Sequence, residues 1–157
     1  MKKILSLLVL LVAFTSCEED IRFNNPAVQG LKDNELWRAS DFKAIRGVDN
    51  SLTIEATNGY EILVLKVAST DPGVYSLGQN ETNKASFVLS ADGIEMAYQT
   101  GANLGDGEIE ISNKPSETDL VRGFISGKFR FNAIGTGGTA VNFQEGVFYK
   151  VPVMAVQ

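Results

Sequence analysis

From Leu36 onward the apolar positions recur every second residue, the period of a strand and not the 3.6 of a helix. Ser51–Thr57 sets Leu52, Ile54 and Ala56 on one face and Ser51, Thr53, Glu55 and Thr57 on the other. Gly123–Ala133 sets Ile125, Phe129, Phe131 and Ala133 against Ser126, Lys128, Arg130 and Asn132. Glu108–Ser112 turns Ile109 and Ile111 to one side. Glu61–Ala68 is apolar on both faces, with Leu63, Leu65 and Val67 opposite Ile62 and Val64, which predicts a central strand. Shorter strands are predicted over Leu36–Ala39, Phe42–Ile45, Val74–Leu77, Ser86–Leu89, Met96–Thr100 and Ala140–Phe143. Val147–Val156 completes the set, and Pro152 inside it calls for an edge position or a bulge.

Turn chemistry falls between these runs. Asn58-Gly59 predicts a type I′ hairpin, which needs positive φ at both central residues. Asp71-Pro72-Gly73, Asp92-Gly93, Asp106-Gly107 and Gly135–Gly138 predict further turns. Many short strands at spacings of about 8–12 residues predict an all-β domain, a single antiparallel β-sandwich over residues 35–157, with a β-barrel as the alternative. Residues 17–34 hold Asn24-Asn25-Pro26, Gly30 and Asp33-Asn34 with scattered apolar positions, and are assigned to a flexible tether. A short helix over Ala27–Leu36 is the weakly patterned alternative.

The first 16 residues follow a different rule. Lys2-Lys3 is a cationic start, Ile4–Phe14 is apolar apart from Ser6, and Thr15-Ser16 precede Cys17. That order is a secretory signal peptide, and its apolar run is shorter than the ~20 residues of a membrane span. Phe14-Thr15-Ser16-Cys17 resembles a bacterial lipobox, with Phe14 where Leu is usual. The resemblance implies that the Cys17 thiol is lipidated and becomes the new N-terminus. Cys17 is the only cysteine, so no intramolecular disulfide is available. Glu18-Glu19-Asp20 resembles an acidic export signal, which implies an outer-membrane lipoprotein at the cell surface. The periplasmic leaflet is the alternative.

Composition narrows the chemistry. The 157-residue chain has 14 basic and 19 acidic residues. Loss of the first 16 residues removes Lys2 and Lys3 and leaves 12 basic against 19 acidic, a net charge of −7. That balance argues against nucleic acid as a partner and against electrostatic adhesion to anionic lipid, so membrane contact is expected through the N-terminal lipid alone. Histidine is absent, which removes the imidazole base and the imidazole metal ligand.

No motif predicts catalysis. Gly135-Thr136-Gly137-Gly138-Thr139 is rich in glycine, but a phosphate loop needs a helix after it, and Ala140–Phe143 is strand-like. Ser40-Asp41-Phe42-Lys43 matches S-x-x-K without the companion motifs of that chemistry. Gly123-x-x-x-Gly127 lies in an alternating strand and not in a membrane helix. Glu55, Glu61, Glu95, Asp106, Glu108, Glu110 and Glu145 are the carboxylates from which a hydrolytic pair would be drawn. No D-x-[DN]-x-[DN]-G calcium loop is present. No catalytic residue, cofactor or metal site is therefore predicted. Trp37, with Tyr60, Tyr75, Tyr98 or Tyr149, is the candidate stacking surface for a glycan or protein partner (Trp37, Tyr75 and Tyr98 foremost), against a reading in which Trp37 closes the core beside Phe42.

Seven segments carry a broader resemblance: Leu36-Trp37-Arg38-Ala39 with Phe42-Lys43-Ala44, Pro72–Gly78, Ala97–Thr100, Gly107–Ile111, Ser126–Ala133 and Gly146–Pro152. From about Glu35 to Val153 the chain resembles uncharacterised bacterial surface lipoproteins carrying a domain of unknown function. The resemblance implies an all-β domain behind a lipoprotein signal and brings no activity or catalytic residue with it. The expectation is a non-catalytic surface binding or adhesion module. An accessory subunit of an outer-membrane complex and a carboxylate-based glycan hydrolase are the alternatives.

Overall fold

The computed structural model describes residues 27–91 and 93–155. The expected signal peptide, Cys17, Glu18, Glu19, Asp20 and the first part of the expected tether lie outside them. Eleven strands follow in order: β1 (Ala27–Lys32), β2 (Glu35–Arg38), β3 (Asp41–Arg46), β4 (Leu52–Thr57), β5 (Glu61–Val67), β6 (Gly73–Leu77), β7 (Lys84–Ala91), β8 (Ile94–Gln99), β9 (Asp106–Ile111), β10 (Phe124–Gly135) and β11 (Ala140–Ala155). No α-helix occurs among the described residues. The protein is all-β.

All eleven strands share one sheet, in the order β2-β1-β11-β3-β4-β5-β7-β8-β10-β9-β6, and β10 also pairs with β11. That last pairing closes a ring. It also divides the sheet into a layer β2-β1-β11-β10-β9-β6 and a layer β3-β4-β5-β7-β8. The layers are joined at opposite ends of the β10–β11 hairpin. At one end Ile134 and Gly135 of β10 pair with Gln99 and Tyr98 of β8. At the other, Val153–Ala155 of β11 pair with Ala44–Arg46 of β3. The β11–β3 pairing is parallel and the others are antiparallel, so the expected wholly antiparallel arrangement gains one parallel seam.

The predicted phases place the core. Leu52, Ile54 and Ala56 of β4, Leu63, Leu65 and Val67 of β5, and Phe129, Phe131 and Ala133 of β10 are all buried. The layers meet through aromatic rings, with Phe143 of β11 at the centre. Its ring lies 4.9 Å from Phe131, 5.4 Å from Phe87, 5.7 Å from Trp37 and 6.0 Å from Phe129, centroid to centroid. Such pairs contribute roughly 0.5–1.5 kcal/mol each beyond area burial. β5 sits between β4 and β7 as a central strand should.

Four local expectations are corrected. Residues 27–34, assigned to the tether or to a short helix, form β1 and its turn. Val28 buries itself in the core, and Asp33 and Asn34, with φ of 50° and 68°, make the two-residue hairpin turn into β2. At Asn58-Gly59 the hairpin exists but its centre is Gly59-Tyr60, because Asn58 pairs with Glu61 through a backbone bond of 3.2 Å. There only Gly59 has positive φ, at 103°, so one glycine suffices. Asp106-Gly107 is not a turn but the start of β9, and the reversal lies upstream at Gly101–Gly105. Finally, the two segments predicted at Ala140–Phe143 and Val147–Val156 are one strand, β11, made continuous by a bulge at Gln144-Glu145.

Candidate functional site

The site follows from how β11 accommodates its extra residues. β11 is bulged twice against β10. At the first bulge Phe129 faces Gly146 and Phe131 faces Phe143, so Gln144 and Glu145 together oppose Arg130. At the second, Ile125 faces Val151 and Gly127 faces Phe148, so Tyr149 and Lys150 oppose Ser126. Glu145 and Lys150 take φ of 49° and 47°, which non-glycine residues adopt rarely. Bulges of this kind re-aim side chains and are enriched beside functional sites.

The two bulges end differently. Ser126 is only 2% exposed although the alternation places it on the solvent face. The loop before β10 folds over it: its Oγ donates to the Glu117 carbonyl and accepts the Lys150 N–H at 2.8 Å, and Thr118 bonds its backbone. The second bulge is thereby sealed. At the first bulge Gln144 and Glu145 stand exposed, and a groove of about 320 Å³ opens. Its rim is Asp106 of β9, Arg130 and Asn132 of β10, and Asn142, Gln144 and Glu145 of β11.

A polar ladder runs across its floor. Asn142 Nδ2 donates to Asn132 Oδ1 at 2.6 Å, and Asn132 Nδ2 donates to Asp106 Oδ1 at 2.8 Å. Asp33 ties the β1 turn to the same row, exchanging backbone and carboxylate bonds of 2.9 Å with the Asn142 main chain. Arg130 Nε donates to Glu108 Oε1 at 3.0 Å. Beneath the ladder Phe131 and Phe143 are 2% and 0% exposed, so the groove lies over the aromatic hub and shows it little ring surface. Gly107 permits the close approach of β9. Its φ is 136°, and a Cβ there would fall 2.2 Å from the Arg130 carbonyl oxygen.

The predicted stacking surface is not assembled. Trp37 is 3% exposed and packs edge-on against Phe143, 82° between planes, so it cannot stack on a ligand. Its Nε1 is buried without a hydrogen-bond partner. Tyr75 is half-buried and donates to the Asp71 carbonyl at 2.7 Å. Tyr98 is half-buried against Phe87, 6.4 Å between centroids. Tyr60 is exposed and Tyr149 half-buried, and no aromatic contact among the described residues joins any two of Trp37, Tyr60, Tyr75, Tyr98 and Tyr149. The core reading of Trp37 holds, with Phe143 as its neighbour. β2 carries Trp37 inward because Leu36 and Arg38, one residue either side, point out.

The acidic residues sort into ladders. Glu55 pairs with Lys43 at 2.9 Å and Glu61 pairs with Lys32. Glu108 faces Arg130 and Glu110 faces Lys128 in register. Asp106 and Glu145 alone among the seven candidate carboxylates line the groove. No cluster of three or more acidic or cysteine side chains with metal-ligating geometry occurs among the described residues. Ser40 and Lys43 lie at and within the extended β3 segment, where Lys43 is held by Glu55.

Sequence reasoning missed Asn132, Asn142 and Gln144. The signal available was Asn142-Phe143-Gln144-Glu145-Gly146, where strand alternation breaks and a glycine follows two polar residues. No curated protein and no solved structure matches the chain. A family model does match, over residues 24–152: the chain belongs to the family described as Domain of unknown function (DUF6252).

Proposed function

We propose that the chain is a lipid-anchored cell-envelope protein whose β domain is a non-catalytic binding module, with the groove at the first β11 bulge as its binding face. The observation that carries this reading is the bulge itself. It holds Gln144 and Glu145 outward and exposed beside Arg130, Asn132 and Asn142. The N-terminal residues support the anchor. Lys2-Lys3, the apolar run to Phe14 and the lone Cys17 fit export and acylation, and Glu18-Glu19-Asp20 fits the outer membrane and the cell surface. The position of the groove fits a tethered module. The chain enters β1 at Ala27, whereas the groove lies at the level of Leu31–Asp33, about 15 Å further along the strand.

The test has two arms. Cys17→Ser should abolish incorporation of an alkyne fatty acid and release the chain from the membrane fraction. Glycan and peptide arrays probed with the full chain should give a signal that a variant combining Arg130→Ala, Gln144→Ala and Glu145→Gln loses. An array signal that survives all three changes would remove the groove as the binding face.

A second reading, a carboxylate hydrolase, is favoured by one observation: Asp106 and Glu145 share the groove. Against it, both residues are solvent-exposed, whereas a general acid is made by an apolar pocket that favours its protonated form. Hydrolysis of an oligosaccharide by the wild-type chain, lost in Asp106→Asn and in Glu145→Gln, would establish it.

A further inference from the structure

We infer that the groove takes a neutral, polyhydroxylated ligand, a saccharide by chemical class. This rests on the groove being the binding face and narrows what it binds.

The first argument is the hydrogen-bond inventory. The relay from Asn142 to Asn132 to Asp106 fixes the orientation of both amides. It uses one N–H of each amide and one oxygen of Asp106, which leaves the second N–H of each amide, the Asn142 Oδ1 and the second Asp106 oxygen. Arg130 spends its Nε on Glu108 and keeps its two Nη groups. Gln144 and Glu145 make no side-chain hydrogen bond among the described residues and stand exposed on the rim. The groove thus presents donors and acceptors side by side. A sugar hydroxyl both donates and accepts, so neighbouring hydroxyls satisfy such a surface without leaving a charge unpaired.

The second argument is charge. Among the described residues Glu108 balances the one cation lining the groove, Arg130, and Asp106 and Glu145 have no cationic partner. Like-charge contacts disfavour an anionic ligand. The third is the absence of an exposed ring in the groove. Phe131 and Phe143 lie under the ladder, and the groove has no ring face for a hydrophobic or quaternary ammonium group. Its volume of about 320 Å³ is at the small end for ligand sites and suits one short stretch of a sugar chain.

The experiment is an NMR titration of the full ¹⁵N-labelled chain with methyl α-mannoside, cellobiose and maltotriose. Trigalacturonate and a tri-lysine peptide serve as anionic and cationic comparisons. The expected result is saturable movement of the Asn132, Asn142 and Gln144 side-chain NH₂ signals with at least one neutral sugar and none with trigalacturonate. Glu145→Ala and Gln144→Ala should each weaken that binding by roughly tenfold, the loss of one hydrogen bond to a charged or amide group. Their unfolding midpoints should match the wild type, since neither side chain bonds within the protein. Movement of these amides with the peptide or the anion but with no sugar would overturn the saccharide inference and leave the groove standing as a binding face. Unmoved amides with every probe, together with array binding that survives the triple groove variant, would overturn both.

Discussion

Gly127 of β10 and Phe148 of β11 face each other in register, and the Phe148 ring fills the space a side chain on Gly127 would need. A Cβ there would lie 2.3 Å from Phe148 Cζ and 1.9 Å from the Glu110 carbonyl oxygen. Phe148 is fully buried, so neither the ring nor the β9 backbone can give way without disturbing the core.

Gly127→Ala should therefore cost about 3 kcal/mol or more, an overpacking effect against backbone. Gly137→Ala is the comparison. Its φ is 77° but nothing lies within 4 Å of its Cβ position, so only the left-handed strain of about 1–2 kcal/mol applies. Urea denaturation of both variants checks the difference, and equal losses would contradict the packing argument.

Phe143 touches four aromatic rings and joins the two layers, so Phe143→Ala should cost about 3–5 kcal/mol. Phe129→Ala and Phe131→Ala, each 2% exposed, fall in the same range of about 3–5 kcal/mol, whereas exposed Lys128→Ala stays within about 0.5 kcal/mol. The Phe131→Ala and Phe143→Ala effects should be non-additive, because their rings stack at 4.9 Å. A double-mutant cycle with zero coupling would mean that the hub is not a unit.

The Lys32–Glu61 ion pair joins β1 of one layer to β5 of the other, with side chains 24% and 12% exposed. Lys32 Nζ also lies 5.1 Å from the Phe87 ring centroid, and Asn58 donates to the same Glu61 carboxylate at 2.6 Å. Glu61→Gln should destabilise by about 1–3 kcal/mol, the range for hydrogen bonds to charged groups. Lys43→Ala removes the exposed Lys43–Glu55 pair and should cost no more than about 1 kcal/mol. Thermal unfolding at low and high salt separates them: the Glu61 effect persists in salt and the Lys43 effect fades.

The Ser112 hydroxyl, at 2.6 Å, holds the Glu117 carboxyl below the ordinary glutamate value, and the Lys114 ammonium at 3.0 Å adds to it. A carboxyl lowered in the folded state contributes stability that is fully present above its unfolded pKa, about 4.3, and is lost as pH falls through the folded value. Ser112→Ala should raise the Glu117 titration midpoint toward ordinary, read by carbon-detected NMR, and should reduce that acid-range dependence. An unchanged midpoint would show that Ser112 is not the cause.

Much of the strand architecture was legible in the sequence. Burial at Leu52, Ile54 and Ala56, and at Ile109 and Ile111, follows the two-residue period because an alternating strand with one apolar face has only one face to bury. β5 is central as its pattern predicted, although its second apolar face is not covered: Ile62 is exposed and Val64 half-buried. Pro152 was readable as well: it falls where the outer edge of β11 lies between partners, after β1 ends opposite Tyr149 and before β3 begins opposite Val153.

What the sequence left open was long-range pairing. Local pattern assigns Ala27–Lys32 to a tether, whereas the structure pairs it on one side with β2 through the Asp33-Asn34 turn and on the other with β11, more than 110 positions away. The groove has the same origin. Arg130 and Asn132 read as ordinary polar-face residues and Asp106 as part of a turn, and they meet Asn142 only because β9, β10 and β11 lie side by side with a bulge between them. Trp37 shows the converse: the sequence offers a core place and an exposed stacking place for it and favours the core, and its packing on the Phe143 ring is what fixes the burial. Side-chain period is a property of neighbours along the chain and is written in the sequence. Register, bulge and the meeting of polar rows depend on contacts between distant segments, and the tertiary structure alone decided them.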